Sequence, residues 1–188
     1  MLKLHVITVA TRDERLGPSV ATWALEQARA HGKFEIEAID LRELGLPLFD
    51  EPRHPRFQQY EHAHTKAWSA IVARADAYLF VTPEYDFSAP ASIINAIQYL
   101  SREWAYKAAA FVSYGGVSAG TRSVEMAKQV LTAVNIMPIQ QAVTIPFFAQ
   151  HINADTKVFD PGEVQVKAAA TMLNELHKWA AALQPLRA

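Results

Sequence analysis

Three short segments of the chain carry residues that suit ligand binding. The first runs Thr11-Arg12-Asp13-Glu14-Arg15-Leu16-Gly17-Pro18-Ser19 and combines hydroxyls, two arginines and the expected start of a helix. The N–H groups and dipole at a helix N-terminus favour an anion, and arginine adds bidentate contacts to phosphate. The segment matches neither G-x-G-x-x-G nor G-x-x-x-x-G-K-S/T, so these nucleotide-binding signatures are absent. The same residues also suit a polar turn with a Ser or Thr cap.

The second segment runs Thr82-Pro83-Glu84-Tyr85-Asp86-Phe87-Ser88-Ala89-Pro90. Its two prolines stiffen the backbone, and its two aromatic side chains offer flat apolar faces. This combination suits a flat heteroaromatic ligand whose polar edge is read by backbone N–H groups. A surface turn before a capped helix explains the same residues.

The third segment runs Ser113-Tyr114-Gly115-Gly116-Val117-Ser118-Ala119-Gly120. Three of the chain's 7 glycines lie in it, within six residues. Glycine permits a positive φ angle or a close approach of backbone to a ligand. A tight turn needs one or two glycines, so three of them favour a binding loop.

Each of these segments follows an apolar run that predicts a buried strand. Short runs rich in β-branched or aromatic residues predict five strands: Leu4–Ala10, Phe34–Leu41, Ala77–Thr82, Ala108–Ser113 and Met137–Ile145. Apolar residues at three- and four-residue spacing predict five helices: from about Val20 to Gly32, Tyr60–Ala75, Ala91–Leu100, Thr121–Val134 and Glu163–Leu183. The second strand alternates with polar residues, which places it near a sheet edge.

The alternation of strands and helices predicts an α/β fold with a parallel sheet covered by helices on both faces. The chain shows no repeat and no linker, so we expect a single domain over residues 1–188. In such folds ligands bind beyond the carboxyl ends of the strands, where the strand order reverses. The three segments follow strands one, three and four, and we therefore expect them to form one site.

The composition excludes several other classes of protein. Of 188 residues, 51% are hydrophobic, the formal net charge is -1, and cysteine is absent. These values argue against a disordered chain, a cysteine-based zinc site, a disulfide framework and a general nucleic-acid binder. The apolar runs are shorter than the roughly 20 residues of a membrane span. The first residues also lack the pattern of a signal peptide, so we expect a cytoplasmic protein.

Together the three segments resemble motifs of the NADPH-dependent FMN reductase family, over about Leu4 to Ala142. The first is similar to the family's phosphate loop "S-T-R-x-x-R-x-G". The second is similar to "P-E-Y-N-x-S", and the third, extended to Arg122, to "S-x-G-G-x-x-G-G-x-R". The resemblance implies a flavodoxin-like three-layer sandwich with a five-stranded parallel sheet of order 2-1-3-4-5. It also implies bound FMN, NADPH or NADH as co-substrate, and a homodimer or homotetramer.

The resemblance also assigns roles to particular residues of this chain. The FMN phosphate would be surrounded by Thr11, Arg12, Arg15, Ser19 and Val20, the last two through the helix N-terminus. The isoalloxazine ring would be lined by Pro83, Glu84, Tyr85 and Asp86, and its other edge by Ser113, Gly115 and Gly116. The chain departs from the family pattern where Asp86 replaces Asn, and where Ile94 and Gln98 replace residues of a Lys-Asp pair.

The resemblance implies an NAD(P)H oxidoreductase that passes hydride through FMN to a small acceptor in ping-pong order. The acceptor would be a quinone, free flavin, azo dye or nitroaromatic compound, and no side chain is required as catalytic acid or base. The alternative is an FMN-binding electron carrier or redox-sensing module without its own turnover. Electron carriers of this fold are typically strongly acidic, which disfavours that alternative at a net charge of -1.

Two other groups of residues have competing interpretations. His54, His62 and His64 occur near Glu51 and Glu61 and include a spacing that can ligate a metal. On the predicted helix, however, His62 and His64 would point about 200° apart, which favours a solvated surface and no metal site. Phe147 and Phe148 either cover the flavin or acceptor pocket or anchor a buried loop.

Overall fold

A parallel sheet forms the centre of the computed structural model, which describes residues 1–156 and 158–187. Its strands are β1 (Leu2–Thr8), β2 (Phe34–Asp40), β3 (Ala77–Pro83), β4 (Lys107–Tyr114), β5 (Ile136–Pro138) and β6 (Val143–Ile145). They are ordered β2-β1-β3-β4-β5, with β6 paired to β4. The strand pairs are parallel. The expected order 2-1-3-4-5 is therefore confirmed, and β2 lies at a sheet edge as its alternating sequence indicates.

Helices cover both faces of this sheet. They are α1 (Gly17–His31), α2 (Leu41–Leu44), α3 (Ala63–Ala73), α4 (Ala91–Gln98), α5 (Thr121–Ala133) and α6 (Glu163–Leu183). On one face α1 and α6 contribute buried residues such as Val20 and Leu173. On the other face α3, α4 and α5 contribute Trp68, Ile93 and Val124. The flavodoxin-like three-layer sandwich is confirmed.

The two central strands, β3 and β4, are buried along their whole length. Successive residues of a strand point to opposite faces, so Leu79 contacts the cluster under α1 and α6, and Phe80 contacts the other cluster. A strand that is covered on both faces needs apolar residues at every position. This requirement explains why these two strands were readable from the sequence.

The expectation of one strand over Met137–Ile145 is wrong, because two short strands replace it and the sheet has six strands. β5 pairs with β4 as far as Ala109 opposite Pro138, and pairing resumes in β6 with Val112 opposite Val143. β4 therefore advances by three residues, from Ala109 to Val112, while the facing segment advances by five, from Pro138 to Val143. The two additional residues leave the ladder where the polar pair Gln140-Gln141 interrupts the apolar run, as in a bulge.

A short helix that the sequence pattern did not predict follows β2. The Asp40 side chain accepts a hydrogen bond from the backbone N–H of Arg42 at 2.9 Å and caps α2. The helix ends at Gly45, whose φ angle of 59° suits glycine. Four residues are too few to show helical periodicity, and so the chain beyond β2 gave no helical signal.

The third helix begins at Ala63, three residues later than expected. The Glu51 carboxylate accepts hydrogen bonds from the backbone N–H groups of Glu61 at 2.8 Å and His62 at 3.0 Å. These two residues are therefore held in the preceding loop, and His62 is the residue that precedes the helix.

Since His62 lies outside α3, the expectation that His62 and His64 point about 200° apart is wrong. Their rings stack with centroids 5.2 Å apart and planes 12° apart. His64 Nε2 lies 3.0 Å from the Asp50 carboxylate, and the Tyr99 hydroxyl donates to the same group at 3.1 Å. Within residues 1–156 and 158–187, no three His, Asp or Glu side chains are grouped as metal ligands.

Candidate active site

The three segments meet at one end of the sheet and enclose a cavity of about 350 Å³. They meet because β1, β3 and β4 are neighbours and run in the same direction. The volume lies within the range of small-molecule sites, about 300–1,000 Å³. Seven of the twelve residues expected in the site line this cavity: Arg12, Arg15, Pro83, Glu84, Tyr85, Gly115 and Gly116.

The other five expected residues lie around the cavity and do not line it. Thr11 borders a neighbouring depression beside α2 and α4. The backbone N–H of Ser19 donates to the Leu16 carbonyl at 3.1 Å, and Val20 is buried in the core. Asp86 is exposed, and Ser113 is buried.

The arginine side of the cavity is organised by a pair between Arg15 and Asp40. The two terminal nitrogens of Arg15 each lie 2.7 Å from one oxygen of the Asp40 carboxylate. The guanidinium also donates to the Ala10 carbonyl. A guanidinium has five N–H donors, so Arg15 retains donors for a ligand while Asp40 fixes its plane.

Helix α2 holds the same loop from outside the cavity. The Arg42 side chain donates to the Arg12 carbonyl at 3.0 Å and pairs with Asp13. Asp40 therefore has two roles, since it caps α2 and orients Arg15. The arginine loop is shaped before any ligand arrives.

The N-terminus of α1 faces this loop and is suited to an anion. In the described part of the chain the helix has no side-chain cap, and its first turn contains Pro18 and no acidic residue. Its amide groups and dipole are therefore not compensated by a carboxylate. Arg12, Arg15 and Glu14 lie in the cavity wall here. We call this end of the cavity its positive end, because the two guanidinium groups and the N-terminus of α1 meet there.

The proline- and tyrosine-containing side of the cavity ends in a tight turn. Tyr85 and Ser88 exchange backbone hydrogen bonds of 3.1 and 2.8 Å. Between them Asp86 and Phe87 have φ angles of 47° and 63°. Asp and Asn tolerate this left-handed conformation better than most residues, because their short polar side chains can form local hydrogen bonds. This tolerance explains why Asp can stand where the family has Asn.

Glu84 connects this side of the cavity to α5. Its carboxylate accepts hydrogen bonds from the backbone N–H of Arg122 at 3.1 Å and from its Nε at 2.6 Å. Although burial alone raises its pKa, hydrogen bonds from Arg122 and Ser118 hold the pKa of Glu84 below its ordinary value. Arg122 also lies over the Phe87 ring, 3.8 Å from its centroid.

The glycine side of the cavity depends on close backbone packing. A Cβ atom on Gly115 would lie 3.2 Å from the Gly120 nitrogen, and one on Gly120 would lie 2.8 Å from the Tyr114 nitrogen. Gly120 also has a φ angle of 80°. The carbonyls of Gly115 and Gly116 accept hydrogen bonds from the backbone of Phe148 and Phe147.

Two aromatic residues of the cavity wall were missing from the expected set. Tyr114 and Phe148 line the cavity, with ring centroids 4.8 Å apart. Strand alternation places Tyr114 on the face opposite to Ser113, so the sequence offered Tyr114 as the alternative to Ser113 without deciding between them. Of the two competing interpretations of Phe147 and Phe148, the structure places Phe148 in the cavity wall and leaves Phe147 half-exposed.

The residues present fit FMN. The positive end formed by α1, Arg12 and Arg15 suits a phosphate, and the stiff segment Pro83–Tyr85 suits the edge and face of a flat ring. Gly115 and Gly116 line the cavity, and glycine lets backbone lie close to a ligand. The arrangement is suited to binding and orienting such a ligand.

In the described residues, no helix is long and apolar enough to cross a membrane.

Comparison with known proteins agrees with this description. The family model for NADPH-dependent FMN reductase matches residues 2–150. An NAD(P)H-dependent FMN reductase of Schizosaccharomyces pombe is 36% identical over 148 residues, which cover 77% of this chain and 74% of that protein. An NADPH:quinone oxidoreductase of Arabidopsis thaliana is 40% identical over 99 residues, covering 51% and 48%.

Among solved structures, the flavoenzyme NAD(P)H:(acceptor) oxidoreductase FerB from Paracoccus denitrificans has the same fold. It superposes with a TM-score of 0.74 at 21% identity and covers 97% of this chain and 98% of its own. The family match over most of the chain and the full-length similarity in fold agree with the cavity at the strand ends. The chain therefore belongs to the NADPH-dependent FMN reductase family and is an oxidoreductase that uses FMN and NAD(P)H.

Proposed function

We propose that the cavity between the three segments binds FMN, and that the protein transfers hydride from NAD(P)H to a small acceptor such as a quinone. The single observation that carries this proposal is the cavity itself, where a positive end meets a stiff aromatic side. The relative from Arabidopsis thaliana that is named as a quinone oxidoreductase supports the choice of acceptor class.

When bound, FMN supplies the redox chemistry, and the protein supplies binding, orientation and electrostatics. We assign Arg12, Arg15 and the N-terminus of α1 to the phosphate. Pro83 and Tyr85 lie along the flat part of the ligand, and the backbone of Gly115 and Gly116 closes its other side. Glu84 keeps its segment attached to α5, so it positions the cavity wall through Arg122.

We further propose that nucleotide and acceptor use the cavity in turn, as in a ping-pong mechanism. The volume of about 350 Å³ is at the low end for ligand sites. The small volume supports one further reactant at a time beside FMN. The reaction needs a supply of NAD(P)H, and we place it in the cytoplasm as part of this proposal.

A second copy of the chain is also part of the proposal, as a homodimer or homotetramer. Phe87, Val117, Met126 and Phe147 are exposed apolar residues beside the cavity. They form two pairs: Phe87 lies near Met126, which its neighbour Ser88 contacts, and Val117 lies near Phe147, whose N–H donates to the Gly116 carbonyl. Exposed apolar patches of this kind mark interaction surfaces. Light scattering after size-exclusion chromatography tests this point, and a monomer at all concentrations contradicts it.

Titration of the flavin-free protein with FMN tests the binding proposal. We expect quenching of FMN fluorescence and saturation at one FMN per chain. Arg12→Gln and Arg15→Gln should weaken binding by about 10- to 100-fold, because each removes charged hydrogen bonds. Arg29→Gln is the matched control, since Arg29 is exposed at the other end of α1. Absence of binding contradicts the proposal.

Turnover is tested separately with the loaded protein. Steady-state oxidation of NADPH and NADH is followed with a soluble quinone, and parallel lines in double-reciprocal plots are expected for alternating occupancy. Intersecting lines contradict that order. Binding of FMN without turnover contradicts the proposed reduction of small acceptors.

A further inference from the structure

The Tyr114 hydroxyl is a buried polar group that nothing so far explains. Tyr114 is 2% exposed, and its hydroxyl oxygen has no hydrogen-bond partner among the residues that the structure describes. A buried hydroxyl without a partner is destabilising in ordinary protein interiors. Such groups are uncommon in folded proteins, and one in a cavity wall points to a ligand.

The backbone and ring of Tyr114 are held by their neighbours. Pro83 of β3 pairs with Tyr114 at the end of β4, and Gly120 packs against the Tyr114 backbone. The Phe148 ring lies against the Tyr114 ring with centroids 4.8 Å apart. The side chain therefore cannot turn away to find another partner without disturbing the cavity wall.

The hydroxyl lies at the N-terminus of α1. A Cβ atom on Gly17, the first residue of that helix, would be 2.5 Å from it. Glycine at this position therefore makes room for the hydroxyl. The oxygen is at the positive end of the cavity, beside the elements that the proposed function assigns to the phosphate.

Burial in this setting raises the pKa of Tyr114 above its ordinary value. The hydroxyl consequently keeps its proton at neutral pH and is available as a donor. A phosphate oxygen is an acceptor, and hydrogen bonds between a neutral donor and a charged acceptor are stronger than neutral ones.

We propose that the Tyr114 hydroxyl is a phosphate ligand of FMN, donating a hydrogen bond that distinguishes FMN from riboflavin. This inference rests on the proposed binding of FMN in the cavity. Tyr114 thereby adds to the phosphate end a side chain from β4, opposite the arginine loop that follows β1. It is a specificity-determining residue with no role in moving protons during the reaction.

The test compares Tyr114→Phe with the wild-type chain in titrations of the flavin-free protein with FMN and with riboflavin. We expect the dissociation constant for FMN to rise by about 10- to 100-fold, because a hydrogen bond to a charged group is lost. The constant for riboflavin should stay within about twofold. The ³¹P resonance of bound FMN should also shift, since the phosphate loses a donor.

The control variant is Tyr78→Phe, which makes the same change on β3. Tyr78 is fully buried, and its hydroxyl donates to the Val72 carbonyl at 3.0 Å, outside the cavity. We expect this variant to lower the melting temperature of the flavin-free protein without changing the ratio of the two dissociation constants. Tyr114→Phe should leave the melting temperature unchanged or raise it, since it removes a hydroxyl without a partner.

Three results would overturn the inference. Equal weakening of FMN and riboflavin binding by Tyr114→Phe would place the hydroxyl against another part of the flavin. Unchanged binding of both would remove it from the site and leave the proposed function standing. Failure of the wild-type chain to bind FMN would refute both the proposed function and the role of Tyr114.

Discussion

Replacing Gly17 with alanine tests how closely Tyr114 and the start of α1 are packed. The added Cβ would lie 2.5 Å from the Tyr114 hydroxyl and 3.0 Å from the Ala10 Cβ. Overpacking of this kind costs about 1–3 kcal/mol. Alanine also restricts the unfolded chain and returns about 0.4–1 kcal/mol. We therefore expect Gly17→Ala to lower the free energy of unfolding by about 1–2 kcal/mol.

The same substitution should cost less when the hydroxyl is absent. In Tyr114→Phe the nearest ring atom is the former Cζ, 3.6 Å from the added Cβ, which is an ordinary contact. The contact with Ala10 remains, so part of the loss persists. We expect a coupling free energy of about 1 kcal/mol between the two substitutions.

Urea unfolding of the flavin-free single and double variants measures this coupling. Gly116→Ala is the control, since within the described structure a Cβ at Gly116 would have no atom within 4 Å. It should change the free energy of unfolding by less than about 0.5 kcal/mol. Equal losses for Gly17→Ala with and without the hydroxyl would refute the argument about packing.

Three further predictions concern charged groups. Asp40→Asn retains a capping side chain but removes the charge that pairs with Arg15, so the free energy of unfolding in urea should fall by about 1–2 kcal/mol. An unchanged free energy would show that Asp40 does not hold Arg15 in place. Burial, which outweighs the attraction of Glu37, lowers the pKa of His5 to about 4, and the unfolded chain then binds a proton that the folded chain does not between that value and about 6.5. The free energy of unfolding should therefore fall as the pH drops through this window, and the fall should be smaller in His5→Gln. An equal dependence on pH in this variant and in the wild-type chain would contradict the role of His5. Glu84→Gln should lower the free energy of unfolding by about 1 kcal/mol, and by much less when it is combined with Arg122→Gln. Additive losses would show that the two side chains do not act as a pair.

The parallel sheet and the place of the site were predictable because the signals for them are local, whereas the strand order 2-1-3-4-5 was implied by the family resemblance. β3 and β4 are apolar at every position, as strands covered on both faces must be. The order of strands and helices along the chain then leaves few topologies. The three segments had to meet, because the carboxyl ends of neighbouring parallel strands lie side by side.

Details that depend on distant contacts were not predictable. Arg15 pairs with Asp40, 25 residues away, and no local pattern indicates that its charge has a partner inside the protein. The interruption between β5 and β6 depends on how many residues of β4 lie opposite. The stacking of His62 on His64 depends on where α3 begins, which the Glu51 carboxylate decides from the preceding loop.

The sequence motif led to Ser113 as a site residue, whereas the structure places Tyr114 in the cavity wall. Motif letters point to the small polar residue, but the side chains of neighbouring strand residues lie on opposite faces of the sheet. The one that reaches the cavity is the tyrosine. Strand alternation applied to the end of β4 would have identified it, had the face of the sheet that carries the cavity been known.

A crystal structure of the protein grown with FMN tests the central claim most directly. We predict the phosphate at the N-terminus of α1, within hydrogen-bond distance of Arg15 and the Tyr114 hydroxyl, and the flat ring beside Pro83–Tyr85. FMN bound elsewhere on the protein, or bound in the cavity with the ring at the α1 end, would contradict the account.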